Sequence, residues 1–240
     1  MRWYLITLLF TLALLSCRDQ EIDPVAQQNE VPQDTVPGSA MHYLALGDSY
    51  TIGQSVDQSE RWPVQLADAF SAEGSDIEVE IIAKTGWTTG ELANGIETAD
   101  PEGPYDLVSL LIGVNNQYRR LDTAAYRVEF RDLLHQAIHF AGDDTTRVFV
   151  VSIPDYSVTP FAQKLDTARI AQEIDAFNAI NLSETRSFGI SYVNVTPISR
   201  QARFNPSLIA GDGLHPSGKM YAQWVKLIKP VVEEILQPGT

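Results

Sequence analysis

The sequence predicts an α/β protein built on one parallel sheet, and three observations carry that expectation. Five short apolar runs recur along the chain: "YLAL" (43–46), "IEVEIIA" (77–83), "DLVSLLIG" (106–113), "RVFVVSI" (147–153) and "SYVNV" (191–195). Stretches with apolar residues three and four apart lie between them, the period of helices that cover a sheet. The third and fourth runs are almost continuously apolar, as strands buried on both faces require.

The first run ends at Gly47-Asp48-Ser49, so a strand should give way to a loop there. One helical stripe is formed by Tyr126, Phe130, Leu134 and Ile138, and a second by Ile170, Ile174, Phe177 and Ile180. The last segment, 217–236, repeats the pattern with Met220, Trp224, Leu227 or Ile228, and Val231. Pro216 suits the start of that helix, whereas Pro230 should kink or break it. Right-handed crossovers place all strand C-terminal ends on one edge, where ligands bind in doubly wound sheets. Ser49 belongs to that edge. Neither an internal repeat nor a second domain is visible.

Residues 1–38 fall outside this pattern. "MRWYLITLLFTLALLSC" has one positive charge at Arg2 and an apolar run from Trp3 to Leu15. The run is short for a membrane span but suits the core of an export signal over residues 1–16. Its end, Leu14-Leu15-Ser16-Cys17, resembles the lipobox of bacterial lipoproteins. That resemblance implies cleavage before Cys17, lipidation of its thiol and a place in the bacterial cell envelope, held to the membrane by acyl chains. An uncleaved signal anchor is the alternative. Residues 17–38 are acidic and proline-punctuated, the composition of a disordered tether, which leaves 39–240 as the folded domain.

Lys and Arg number 17 against 31 Asp and Glu, a formal net charge of −14. Such a field repels nucleic acid and favours a soluble monomer. Cys17 is the single cysteine, so no internal disulfide exists.

Taken alone, "GDS" is equally a turn in which Ser49 or Asp48 caps the next helix. A nucleophilic serine also needs a base, a group to orient that base, and donors for an oxyanion. Of the four histidines, His42 precedes the first strand, at the opposite edge. His135 and His139 share a helix face but lack the glutamate of the zinc-protease pattern. His215 lies in "GDGLHPSGK", with Asp212 three residues before it in a glycine-containing loop. That spacing lets the carboxylate reach one imidazole nitrogen while the other faces the cleft. "KTGWTTG" puts Gly86 on the same edge after the second strand, and "LIGVNNQY" puts Asn115 there after the third. With the Ser49 amide, these could hold an oxyanion. As a turn glycine and a helix cap, Gly86 and Asn115 would need no such role.

In this order, Ser49 in "GDS", Gly86, Asn115 in "GVNN" and His215 in "DGLHP" resemble the SGNH hydrolases, also called GDSL esterases/lipases, over about 43–236. The resemblance implies a flavodoxin-like three-layer α/β/α sandwich with five parallel strands. It also implies Ser49 as nucleophile, His215 as base, Asp212 as its orienter, and an oxyanion hole of Ser49, Gly86 and Asn115. Two positions depart from the family pattern. Tyr50 replaces its leucine, and Asn116 stands where aspartate is usual.

A serine esterase that hydrolyses acyl esters through an acyl-enzyme is therefore expected, with no metal or organic cofactor. The substrate would be a lysophospholipid-like lipid ester or, alternatively, an acetyl ester on a sugar. Trp87, Tyr156, Phe161 and Phe204 are candidates for lining its site. Three other readings compete with this one. A metal phosphoesterase through Asp48, Asn115 and His215 lacks a further ligand cluster. An α/β-hydrolase would carry a G-x-S-x-G elbow, which is missing. A non-catalytic lipoprotein that binds envelope glycan or lipid needs the same fold without turnover.

Overall fold

The computed structural model describes residues 40–237. The export-signal-like segment, Cys17 and the acidic tether lie outside the described residues.

Five parallel strands form one sheet: β1 (Met41–Gly47), β2 (Ile77–Ala83), β3 (Leu107–Leu111), β4 (Val148–Val151) and β5 (Ser191–Val193), in the order β2-β1-β3-β4-β5. Each expected run became a strand. Tyr43 to Leu46, all of β3 and all of β4 are buried, because helices cover both faces. Edge strand β2 instead alternates between half-buried and exposed residues over most of its length. The architecture is the expected three-layer α/β/α sandwich.

Eight α-helices accompany the strands among the described residues: α1 (Ser49–Ile52), α2 (Trp62–Ser71), α3 (Thr89–Ala99), α4 (Val114–Tyr118), α5 (Thr123–Phe140), α6 (Thr167–Ser187), α7 (Thr196–Arg200) and α8 (Gly218–Leu236). Helix α2 packs on α8, while α5 packs on both α3 and α6. The apolar stripes read from the sequence on α5 and α6 face inward; Tyr126, Phe130, Leu134, Ile170, Ile174 and Phe177 are buried. Across that contact, buried Glu184 of α6 pairs with Arg127 and, at 2.7 Å, with Arg131 of α5. Burial would raise this carboxyl, but the two guanidinium groups hold it below its usual range.

Helix α8 departs from expectation in two ways. It starts after Pro216, with Ser217 as N-cap accepting from the Met220 amide at 3.3 Å. It also runs unbroken through Pro230. An interior proline costs about 3 kcal/mol. Trp224, Ile228 and Val232 are each 0% exposed, and burial of one such side chain contributes about 1.5–3 kcal/mol, so together they outweigh the loss. Pro230 itself sits on the exposed face, where water can satisfy the freed carbonyl. Ile228 and Val232, rather than Leu227 and Val231, complete the buried stripe.

The register sets the site. Gly47 of β1 pairs with Ala83 of β2 and with Leu111 of β3. Ser49 follows Gly47 by two residues, Gly86 follows Ala83 by three, and Gly113 follows Leu111 by two. Three adjacent strands therefore deliver their loops at one level, beside the β1/β3 switch point where such sheets bind ligands.

Candidate active site

Ser49 is the first residue of α1, and Asp48 is its N-cap, accepting from the Tyr50 amide at 3.0 Å. The cap that the bland reading of "GDS" required is thus Asp48, which leaves the serine hydroxyl free of that task. As the first residue of a helix, Ser49 has an amide that no helical carbonyl can reach. Among the described residues, neither the Ser49 amide nor the Gly86 amide finds an acceptor.

Gly86 occupies the third position of a turn closed by the Trp87 amide on the Lys84 carbonyl at 3.2 Å. Its φ of +87° is what a type II turn demands there and what other residues resist. Three side chains fix the turn. Arg119 donates to the Gly86 carbonyl at 2.6 Å, Asn115 Nδ2 to the Trp87 carbonyl at 2.9 Å, and Thr85 Oγ1 to Gln54 at 2.6 Å. One amide hydrogen of Asn115 is thereby spent on the turn, and the other is directed by that bond.

Asn115 is itself held from below. Gly113, with φ +126°, lets β3 turn into α4, and a Cβ there would collide with the Tyr126 hydroxyl. That hydroxyl donates to Asn181 at 2.6 Å and lies 3.2 Å from the Ile112 carbonyl. Asn116, buried beside Asn115, accepts from the Thr89 amide at 3.1 Å and donates to Thr89 Oγ1 at 2.7 Å. Thr89 in turn donates to Glu129. An aspartate at 116 could accept from the amide but could not donate to the hydroxyl, so asparagine suits this threonine–glutamate pair.

The loop after β5 supplies His215, whose Nδ1 lies 2.6 Å from Asp212 Oδ2. The same carboxylate accepts from Ser55 Oγ at 2.7 Å and from the amides of Leu214 and His215 at 2.9 and 3.0 Å. Partial burial would raise the Asp212 carboxyl, but these four donors hold it far below the usual carboxylate range. Facing an ionised Asp212, Nδ1 must carry the proton, and Nε2 is then the basic nitrogen. Tyr50 sets its ring edge-on to the imidazole, with centroids 5.8 Å apart. Tyr50, which stands where the resemblance leads one to expect leucine, thus packs against this imidazole.

Ser49, Gly86, Asn115 and His215 line one cavity of about 190 Å³, with Asp212 behind the histidine. Tyr156 and Phe161 line it too. Trp87 does not: its ring packs over Gly95 of α3, where any Cβ would collide with it, and it borders a separate concavity. Phe204 is 86% exposed and does not line this cavity, because Ala202 and Leu208 take the buried positions of its loop. The other cavity walls are Tyr118, Val114, Leu214, Tyr50 and Thr85. Tyr118 was legible, since it follows Asn115 by three residues and so shares its helix face. Ser55 and Arg119 left no local signal.

His42 faces Glu78 in the open at the far edge. His135 lies against the Phe188 ring, and exposed His139 lies 3.7 Å from Asp143. Among the described residues no three His, Cys, Asp or Glu side chains converge at metal-binding distance.

Asp48 carries a cost. It is fully buried, one carboxyl oxygen has no partner among the described residues, and burial pushes its pKa up to about 7. The folded chain therefore keeps a proton that the unfolded chain releases near pH 4. The associated stability is complete below pH 4 and is lost as pH rises to about 7, by up to about 4 kcal/mol. Urea unfolding from pH 4 to 7.5 should show this decline in the wild type and a flatter profile in Asp48→Asn. Parallel profiles would contradict it.

Residues 45–223 match the GDSL-like lipase/acylhydrolase family profile. No curated protein matches the chain by sequence. Among solved structures, TesA superposes with a TM-score of 0.65 at 18% identity, covering 82% of this chain and 100% of that one. A lipase/acylhydrolase from Enterococcus faecalis gives 0.61 at 19% identity, covering 83% and 99%. A variant of an acetyl xylan esterase from Geobacillus stearothermophilus gives 0.62 at 17% identity, covering 85% and 98%. With the family profile spanning most of the sheet and both ends of the site, the chain belongs to the GDSL-like lipase/acylhydrolase family and is a carboxylic ester hydrolase of SGNH fold.

Proposed function

We propose that the protein hydrolyses short-chain acyl esters by a two-step Ser-His-Asp mechanism. The observation that carries the reading is the 2.6 Å Asp212–His215 pair at a cavity shared with Ser49, Gly86 and Asn115. His215 Nε2 takes the Ser49 proton as Oγ attacks the ester carbonyl. The oxyanion that forms is met by the Ser49 and Gly86 amides and by the second amide hydrogen of Asn115. Such donors typically lower the barrier by about 3 kcal/mol each. Nε2–H then protonates the departing alcohol, and water, activated by the same nitrogen, releases the acid from Ser49.

Cavity size argues for a short acyl group over a lysophospholipid chain. At about 190 Å³ the space is below the roughly 300–1,000 Å³ of pockets that enclose a drug-sized ligand. Its walls are rings and methyl groups, which suit a small apolar acyl end. We also propose that Cys17 is lipidated and tethers the enzyme to the cell envelope, on the strength of the lipobox-like residues 14–17.

With p-nitrophenyl esters from acetyl to palmitoyl, the full-length protein should give its highest kcat/KM at two to four carbons, while Ser49→Ala falls by about 10⁴-fold or more. A maximum at long chains would overturn the short-acyl reading, and turnover retained in Ser49→Ala would overturn the mechanism.

Ser55 acts through Asp212 as a positioning residue. Its φ of +67° would strain an alanine, so Ser55→Gly removes the hydroxyl without that penalty. Losing a hydrogen bond to a charged group should lower kcat by about three- to ten-fold, with KM unchanged. An unaltered kcat would show that the remaining donors suffice.

A further inference from the structure

A second groove, of about 440 Å³, adjoins the cavity and shares the Tyr118 and Tyr156 rings with it. The shared wall is rigid. Tyr156 donates to Gln117 Oε1 at 3.0 Å, Gln117 donates to Glu173 at 2.6 Å, and the 3-10 turn of Tyr156 is capped by Asp155, itself held by Arg200 at 2.8 Å. Tyr118, 54% exposed, forms the open ridge between the two spaces.

The groove differs in chemistry from the cavity. Amide, carboxylate and guanidinium groups dominate it, and three arginines, Arg119, Arg120 and Arg169, face two carboxylates, Asp166 and Glu173. The acidic groups are already engaged: Asp166 caps α6 by accepting from the Arg169 amide, and Glu173 accepts from Gln117. Arg119 is held by Glu91 and the Gly86 carbonyl, and Arg169 lies 3.5 Å from Glu173. Arg120 makes no side-chain hydrogen bond or ion pair among the described residues. It also holds a left-handed backbone, φ +57°, a conformation that costs about 1 kcal/mol or more.

We propose that this groove binds the alcohol part of the substrate, and that this alcohol is a saccharide bearing a carboxylate. The inference rests on the esterase reading above. With the acyl end in the small cavity, the groove beyond the shared Tyr118 and Tyr156 rings is an adjoining space that can take the alcohol part. A polyhydroxylated ring matches its crowded donors and acceptors, the Tyr118 face can cover the ring's C–H side, and the planar Arg120 fork matches a carboxylate in two parallel hydrogen bonds. Hydrolysis then releases the short acid and the free sugar hydroxyl with one water consumed.

The test compares an acetylated uronic-acid trisaccharide with acetylated xylotriose, using full-length protein at low salt. The acidic ester should have a kcat/KM about ten-fold higher, carried by KM, and about 0.5 M salt should erase most of the difference. Arg120→Asn, which tolerates the left-handed backbone, should remove the preference by raising KM for the acidic ester alone. Calorimetry with the acidic trisaccharide on Ser49→Ala and Ser49→Ala/Arg120→Asn reads the groove without turnover. About ten-fold weaker binding in the double variant is expected. Equal kcat/KM for the two esters, or equal affinity in the two variants, would overturn the proposal. Failure of the wild type on every ester, p-nitrophenyl acetate included, would instead overturn the esterase reading, and the calorimetry would still decide the groove.

Discussion

The site depends on a constraint that acts far from it, the burial of the central strands on both faces. Crossover connections packed over both faces return each of these strands in the same direction, so every loop of one kind emerges at one edge. The register of Gly47 with Ala83 and with Leu111 then places the loops after β1, β2 and β3 at one level. Ser49, Gly86 and Asn115 come from those three loops. Slippage of β1 by one residue would reverse which of its side chains face each layer and carry Ser49 away from the other two.

Around that edge the polar groups are mutually held before any ligand arrives. Arg119, Asn115 and Gln54 fix the turn at Gly86, each from a different segment. Tyr126 and Asn116 fix the segment that carries Asn115. Fixed donors need no reorganisation when charge develops on an ester oxygen, which is where such sites derive most of their effect. The Asp212–His215 pair has the same character, with four donors converging on one carboxylate. Buried Asp48 is the exception, with one oxygen unpartnered among the described residues. Its cost is tolerated where the cap it supplies leaves the Ser49 hydroxyl to other work.

Much of this was legible in the sequence, for identifiable reasons. Continuous apolar runs revealed β3 and β4 because they are too short for a buried helix and match strands covered on both faces. Glycines and a nearby carboxylate marked Ser49, Gly86 and His215, because tight turns require particular residues. Local rules failed where distant packing decides. Pro230 reads as a helix breaker, yet the buried face of Trp224, Ile228 and Val232 carries α8 through it. Trp87 and Phe204 read as possible lining, but a side chain's direction depends on partners such as Gly95, which no spacing reveals. Ser55 reaches Asp212 across 157 positions, and Arg119 reaches Gly86 across 33. No periodicity encodes such contacts.

The central claim is that Ser49, backed by His215 and Asp212, is a nucleophile poised to attack an acyl carbon. A small alkyl phosphonate ester mimics the tetrahedral stage of that attack and stays attached to the serine that performs it. Mass spectrometry of the labelled full-length protein should find one adduct per chain, on the peptide that carries Ser49, and much slower labelling in His215→Ala. An unlabelled folded protein, or an adduct on another residue, would contradict the account.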